Sequence, residues 1–162
     1  CDAKVRQGLL PSVQVAGNAL LHVLTARLSD AYSVQSGCEA LMDIVGSCPE
    51  DSPVRASVRS SLLAQDEAGE ALLPRIQAAH LPNERLQHTV MSMTAAVLGV
   101  QPVLQQMAKH GDSHVVQMPA IRTLAELFGD RIDLDPPDLA CLPEAMGAVV
   151  AAMAKFPENI IL

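Results

Sequence analysis

The stretches from Gly69 to Gln87, GEALLPRIQAAHLPNERLQ, and from Gly99 to Gln117, GVQPVLQQMAKHGDSHVVQ, align without a gap and decide how the chain is read. A third, from Gly17 to Gln35, GNALLHVLTARLSDAYSVQ, keeps the same phase, each stretch opening on Gly and closing on Gln eighteen positions later. A fourth begins at Gly147 as GAVVAAMAKFPENIIL with slightly shorter spacing. Self-similarity of this kind marks a repeat architecture and takes precedence over single motifs.

Each stretch has the same physical content. The Gly is read as ending a preceding helix, because it accepts a left-handed backbone that other residues resist. Apolar residues then recur at helical spacing. A polar stretch follows in each case: Ser29-Asp30, Pro82-Asn83-Glu84, Gly111-Asp112-Ser113 and Pro157-Glu158-Asn159. Such residues cap or break helices and predict a tight turn. Beyond the Gln, a second helix is predicted with Cys38, Leu41, Met42 and Val45 facing inward in the first stretch. Val90, Met93, Thr94 and Val97 take those places in the next, and Ala120, Leu124 and Leu127 in the third. A pair of helices with so much apolar surface is stable only when stacked on another pair.

The order Gly, early Pro (Pro74, Pro102), apolar helix, polar turn, Gln and small-residue-rich helix resembles the second and third helices of armadillo repeats. Ser52-Pro53 followed by VRASVRSSLLAQDEA fits the family's short first helix, with Ser52 as N-cap and Pro53 in the first turn. Between Val97 and Gly99 there is no room for that helix, and the unit starts are separated by 52, 30 and 48 residues. HEAT-like hairpins are therefore the second description. The resemblance implies an all-α, right-handed α-α superhelix, a solenoid of about three to four repeats. On this resemblance residues 1–162 are expected to form a single armadillo-like domain, with units roughly at 1–48, 49–98, 99–131 and 132–162. The chain opens on Cys1 without an initiator Met and closes on Ile160-Ile161-Leu162, which reads as an excerpt of a larger protein.

Composition sets the outer limits. Nearly half of the 162 residues (49%) are apolar but only 2% are aromatic (Tyr32, Phe128 and Phe156), so the core is built from Leu, Val, Ile, Ala and Met. A net charge of −7 with scattered basic residues speaks against nucleic acid, whose phosphates need clustered Lys and Arg. No apolar run approaches the ~20 residues that span a bilayer. Four cysteines, Cys1, Cys38, Cys48 and Cys141, form no CxxC pair, which fits a reducing, cytoplasmic setting.

Reactive constellations are sparse. His110 and His114 are four apart, but Gly111-Asp112-Ser113 aligns with the turns of the other stretches, so they do not share a helix face as zinc ligands would. His22, His80 and His88 are isolated and read as surface or capping residues. Cys38 falls at a packed helix position and fills space, and Cys48 has no basic neighbour to activate it. Asp130, Asp133, Asp135 and Asp138 lie in GDRIDLDPPD, where Pro136-Pro137 and the missing terminal Glu exclude an EF-hand and leave a solvated linker. No P-loop, dinucleotide fingerprint or nucleophile elbow is present. No catalytic, cofactor-binding or metal-ligating residue is assigned, and an enzyme is not indicated.

In armadillo arrays the second helices line a concave face. Alignment of GCEALMDIV with the family's peptide-binding motif places Glu39 and Asp43 there; the later units supply Ser92 and Ala96, then Arg122 and Glu126. The chain has no Trp and keeps neither the Trp nor the Asn of that motif, so the grip on an extended basic import signal is not implied. The mixed acidic character of the face predicts a protein partner with basic or amphipathic helical segments. The expected function is a non-catalytic protein-interaction scaffold. The alternative is a structural or regulatory repeat segment of a multidomain protein, such as one attached to a kinase or a cytoskeletal or ciliary protein. An enzyme or metal-binding helical domain is the distant third.

Overall fold

The computed structural model describes the backbone of residues 3–49, 51–65, 69, 71–130 and 136–159, and the side chains of 11–49, 51–65, 69, 71–129 and 137–158. Among the described residues the chain is all-helical. In order come α1 (Ala3–Ala26), α2 (Ala31–Ser47), α3 (Pro53–Leu63), α4 (Leu72–Ala79), α5 (Glu84–Leu98), α6 (Val100–Lys109), α7 (His114–Asp130), α8 (Pro136–Ala140), α9 (Leu142–Lys155) and a 3-10 turn (Pro157–Asn159). An isolated bridge between Gln65 and Ala71 is the one extended pairing there. The chain divides into two compact units, Cys1–His80 and Leu81–Leu162.

The helix starts follow from local chemistry. Asp30 accepts a hydrogen bond from the Tyr32 amide, Ser52 from Val54, and Asn83 from Leu86, each satisfying a backbone donor that the first turn leaves over. Pro53 sits at the first position of α3, as predicted. Pro74 and Pro102 occupy the third positions of α4 and α6, where a missing N–H costs no intrahelical bond.

In the first unit α1 packs on α2 and α3, and α3 packs on α4. Leu24, Val34, Cys38, Leu41, Val45, Val54, Val58 and Leu62 are buried, each large aliphatic side chain contributing about 1.5–3 kcal/mol. Gly37 allows the α1–α2 approach: a Cβ there would stand 2.7 Å from Leu24 Cδ2. His80 ends α4 as a buried residue, and its Nε2 lies 2.6 Å from the Leu28 carbonyl. Arg55 Nε donates to the Val45 carbonyl at 3.1 Å, closing the end of α2.

In the second unit α5, α6, α7 and α9 enclose a core of Met91, Ala95, Val100, Val103, Leu104, Met107, Val116, Ala120, Leu124, Ala145 and Ala152. Thr94 fits an inward position because its hydroxyl donates to the Val90 carbonyl at 2.7 Å. The buried side chain of Gln117, 3% exposed, bends back to donate from Nε2 to the Met107 carbonyl at 2.7 Å and the His110 carbonyl at 3.0 Å. These are end carbonyls of α6, so here the recurring Gln is a tie between the two helices of a hairpin. Gln35 has a different fate: it stays at the surface and donates to Glu39 Oε1 at 2.9 Å.

The expectation for the opening glycines holds at one of four. Gly99 takes φ +89° and closes α5 while opening α6. Gly69 also takes a positive φ, +79°, but α3 has already ended at Leu63, so it belongs to the connection before α4. Gly17 and Gly147 lie inside α1 and α9 and terminate nothing. Gly17 is buried, where its Cβ position lies 3.6 Å from Val58 of α3, a matter of helix packing rather than capping. The acidic linker also needs correction. Asp138 stands on α8 and accepts a hydrogen bond from the Val100 amide at 3.1 Å, capping α6 from 38 residues away. Asp133 and Asp135 lie outside the described residues.

Candidate interaction surfaces

The six positions proposed for a concave face fall on three helices. Glu39 and Asp43 are exposed on α2 of the first unit, with Glu39 held by Gln35. In the second unit Arg122 and Glu126 are exposed on α7, whereas Ser92 and Ala96 on α5 are half-buried. Packing of α5 on α7 ties two of the six to residues outside the set: Ser92 Oγ lies 3.3 Å from Thr123 Oγ1, and Glu126 Oε2 lies 3.4 Å from His88 Nε2. From His88 to Ser92 numbering rises along α5, while from Glu126 to Thr123 it falls along α7. The His88–Glu126 pair is partly solvated, and such pairs contribute at most about 1 kcal/mol.

The remaining reactive side chains are dispersed. His110 is half-buried at the end of α6, and His114 opens α7 with its ring tilted 59° against Phe156 at 6.3 Å. His22 is exposed on α1. No group of three His, Cys, Asp or Glu stands ready for a metal ion among the described residues. Cys38 is buried, and loss of solvent, helped by the neighbouring Glu39 carboxylate, pushes its thiol up to about 12. Cys141 is partly exposed and its Sγ donates to Gln101 Oε1 at 3.2 Å. No helix of the described residues is long and apolar enough to cross a membrane.

Two grooves on the second unit were not anticipated from sequence. One, of about 350 Å³, runs between α7 and α9 and is lined wholly by apolar side chains, among them Ile121, Leu124, Phe128, Met146 and Val150. Met146 and Val150 are 61% and 64% exposed. The other, of about 330 Å³, runs between α6 and α9, with Leu104, Met107, Ala148 and Ala151 as walls and Gln117, Glu144 and Lys155 as polar lining. The Lys155 ammonium is bound by Asp112, whose carboxyl is held below the usual range by that hydrogen bond and charge. The run of small residues in α9 was the available sequence signal, but periodicity alone does not tell a covered face from an open one.

No family model matches the chain, and neither a curated protein nor a solved structure matches it.

Proposed function

We propose that the chain is a non-catalytic protein-interaction module whose partner is a basic or amphipathic helical segment. One observation carries this reading: the apolar trough between α7 and α9 leaves Met146 and Val150 in solvent, beside a helix whose outer face presents Arg122 and Glu126. Exposed apolar surface of this kind is characteristic of binding faces, and a Met-containing groove adapts well to an amphipathic helix. The unpaired thiols of Cys38, Cys48 and Cys141 suit the reducing, cytoplasmic compartment that belongs to this proposal.

Armadillo- or HEAT-like stacking in a right-handed superhelix is its finer part. The tie from Gln117 to the end of α6 supports a helical hairpin at α6–α7. Equivalent helices in such an array run the same way, because successive units differ by a small rotation. The opposed register of the two α5–α7 contacts counts against α5 and α7 being such a pair.

The test is to pan a displayed library of helical peptides against the full chain, then measure the selected peptides against a charge-reversed Arg122→Glu, Glu126→Arg variant and against Met146→Glu. At least tenfold weaker binding by either variant is expected. Selected peptides bound equally by all three proteins would make this face a spacer surface.

A further inference from the structure

Gln117 has only acceptor capacity left for the α6–α9 groove. Its amide hydrogens are committed to the Met107 and His110 carbonyls, which also fixes which end of the amide is nitrogen. What this buried side chain still offers is the acceptor oxygen Oε1, to which no described residue donates. A second acceptor in the lining is the Glu144 carboxylate on the first turn of α9. The C-terminal end of α6, represented by Ala108 and Gly111, adds the negative pole of a helix dipole. The one cation in the lining, Lys155, has its charge offset by Asp112. The groove is therefore acceptor-rich and electronegative, between walls of Leu, Met and Ala.

Resting on the interaction-module reading, we infer that this groove takes a basic amphipathic peptide segment, with lysine stems along Ala148 and Ala151 and N–H donors directed to Gln117 Oε1 and Glu144. A segment fits the groove better than a small amine. The lining runs along α9 from Glu144 to Lys155, eleven residues or about 16 Å, a length that one small amine does not fill. The net charge of −7 favours approach of a cationic partner.

The experiment uses the full chain with alanine methyls isotopically labelled and three probes: a fluorescein-labelled 18-residue Leu/Lys amphipathic helix, its Lys→Gln counterpart, and n-pentylammonium. The Leu/Lys peptide is expected to shift the methyls of Ala148, Ala151 and Ala152 and to bind about tenfold more weakly to Glu144→Lys, and also to Ala151→Leu, which fills the groove. Both substitutions fall at exposed positions, and helix content by circular dichroism confirms that the variants fold. Weaker binding of the Lys→Gln peptide completes the expected pattern. If the Leu/Lys peptide binds both variants as tightly as the parent and leaves the alanine methyls unmoved, the groove assignment falls; loss of that binding in the Arg122/Glu126 variant would keep the module reading. If n-pentylammonium shifts the methyls and the peptide does not, the groove is a small-amine site and the inference is wrong. If neither peptide binds and library selection also fails, both readings fall together.

Discussion

Replacing Asp138 by Ala removes the acceptor for the first amide of α6 and a negative charge from that helix's N-terminus. Gly99, the residue in the N-cap position of α6, has no side chain to supply either. Loss of an N-cap acceptor costs about 1 kcal/mol, and loss of a carboxylate beside a helix N-terminus about 0.3–1 kcal/mol more. Asp138→Ala should therefore destabilise the second unit by roughly 1.5–2 kcal/mol. Asp138→Asn keeps an acceptor and should cost only about 0.5 kcal/mol. Gly99→Ala acts on the same contact from the other side. At φ +89° and ψ −175° the backbone occupies a region open essentially to Gly alone, worth about 1–3 kcal/mol to a side-chain-bearing residue. Its Cβ would also stand 3.2 Å from Asp138 Oδ1. The two changes should consequently be non-additive, Asp138→Ala costing less in the Gly99→Ala background. Urea unfolding gives the stabilities, and hydrogen exchange of the Val100 amide reads the cap locally, with acceleration on the order of ten- to thirtyfold in Asp138→Ala. A change below about 0.3 kcal/mol with unaltered Val100 exchange would refute the capping role, since ordinary surface substitutions fall in that range. Equal losses for Asn and Ala would show that charge, not the hydrogen bond, matters.

Three further outcomes are expected. Gly37→Ala should cost about 1–3 kcal/mol by urea unfolding, because the new methyl meets Leu24 at 2.7 Å, and trimming Leu24 to Ala in the same chain should recover part of the clash while opening a cavity of its own. Cys38, buried and with its thiol raised to about 12, should resist a thiol reagent at pH 8 until the chain unfolds, whereas Cys48 and Cys141 react in the folded protein; labelling of native Cys38 at the rate of a free thiol would contradict its burial. Carboxyl titration by NMR should find Asp112 below its ordinary 3.8 and returned toward it by Lys155→Met. Since the folded value is the lower one, the contribution of the pair is present above about pH 3.8 and is lost as pH falls through the folded value.

What the sequence determined by itself was local. Asp30, Ser52 and Asn83 mark helix starts because a side-chain acceptor within three residues of an orphan amide needs nothing from the rest of the chain. The inward positions of α2, α5 and α7 follow largely from helical periodicity: Cys38, Leu41, Val90, Met93, Ala120 and Leu124 are buried, whereas Met42 and Leu127, also expected inward, are half-buried. The Gly-to-Gln phase pointed to real turns, but the same letters carry different loads: Gly99 closes a helix while Gly17 lies buried within one, and Gln117 ties a hairpin while Gln35 meets only Glu39. A Gly without a Cβ serves equally well where φ is positive and where two helices approach closely, and one sequence does not say which constraint acts. That Asp138 caps α6, with the partners 38 residues apart, and that Ser92 turns toward Thr123 rather than to solvent follow from long-range packing. It alone left the two faces of α9 open as grooves, because whether an apolar or small-residue face is covered depends on which helices arrive there, a long-range property absent from the periodicity of any one helix.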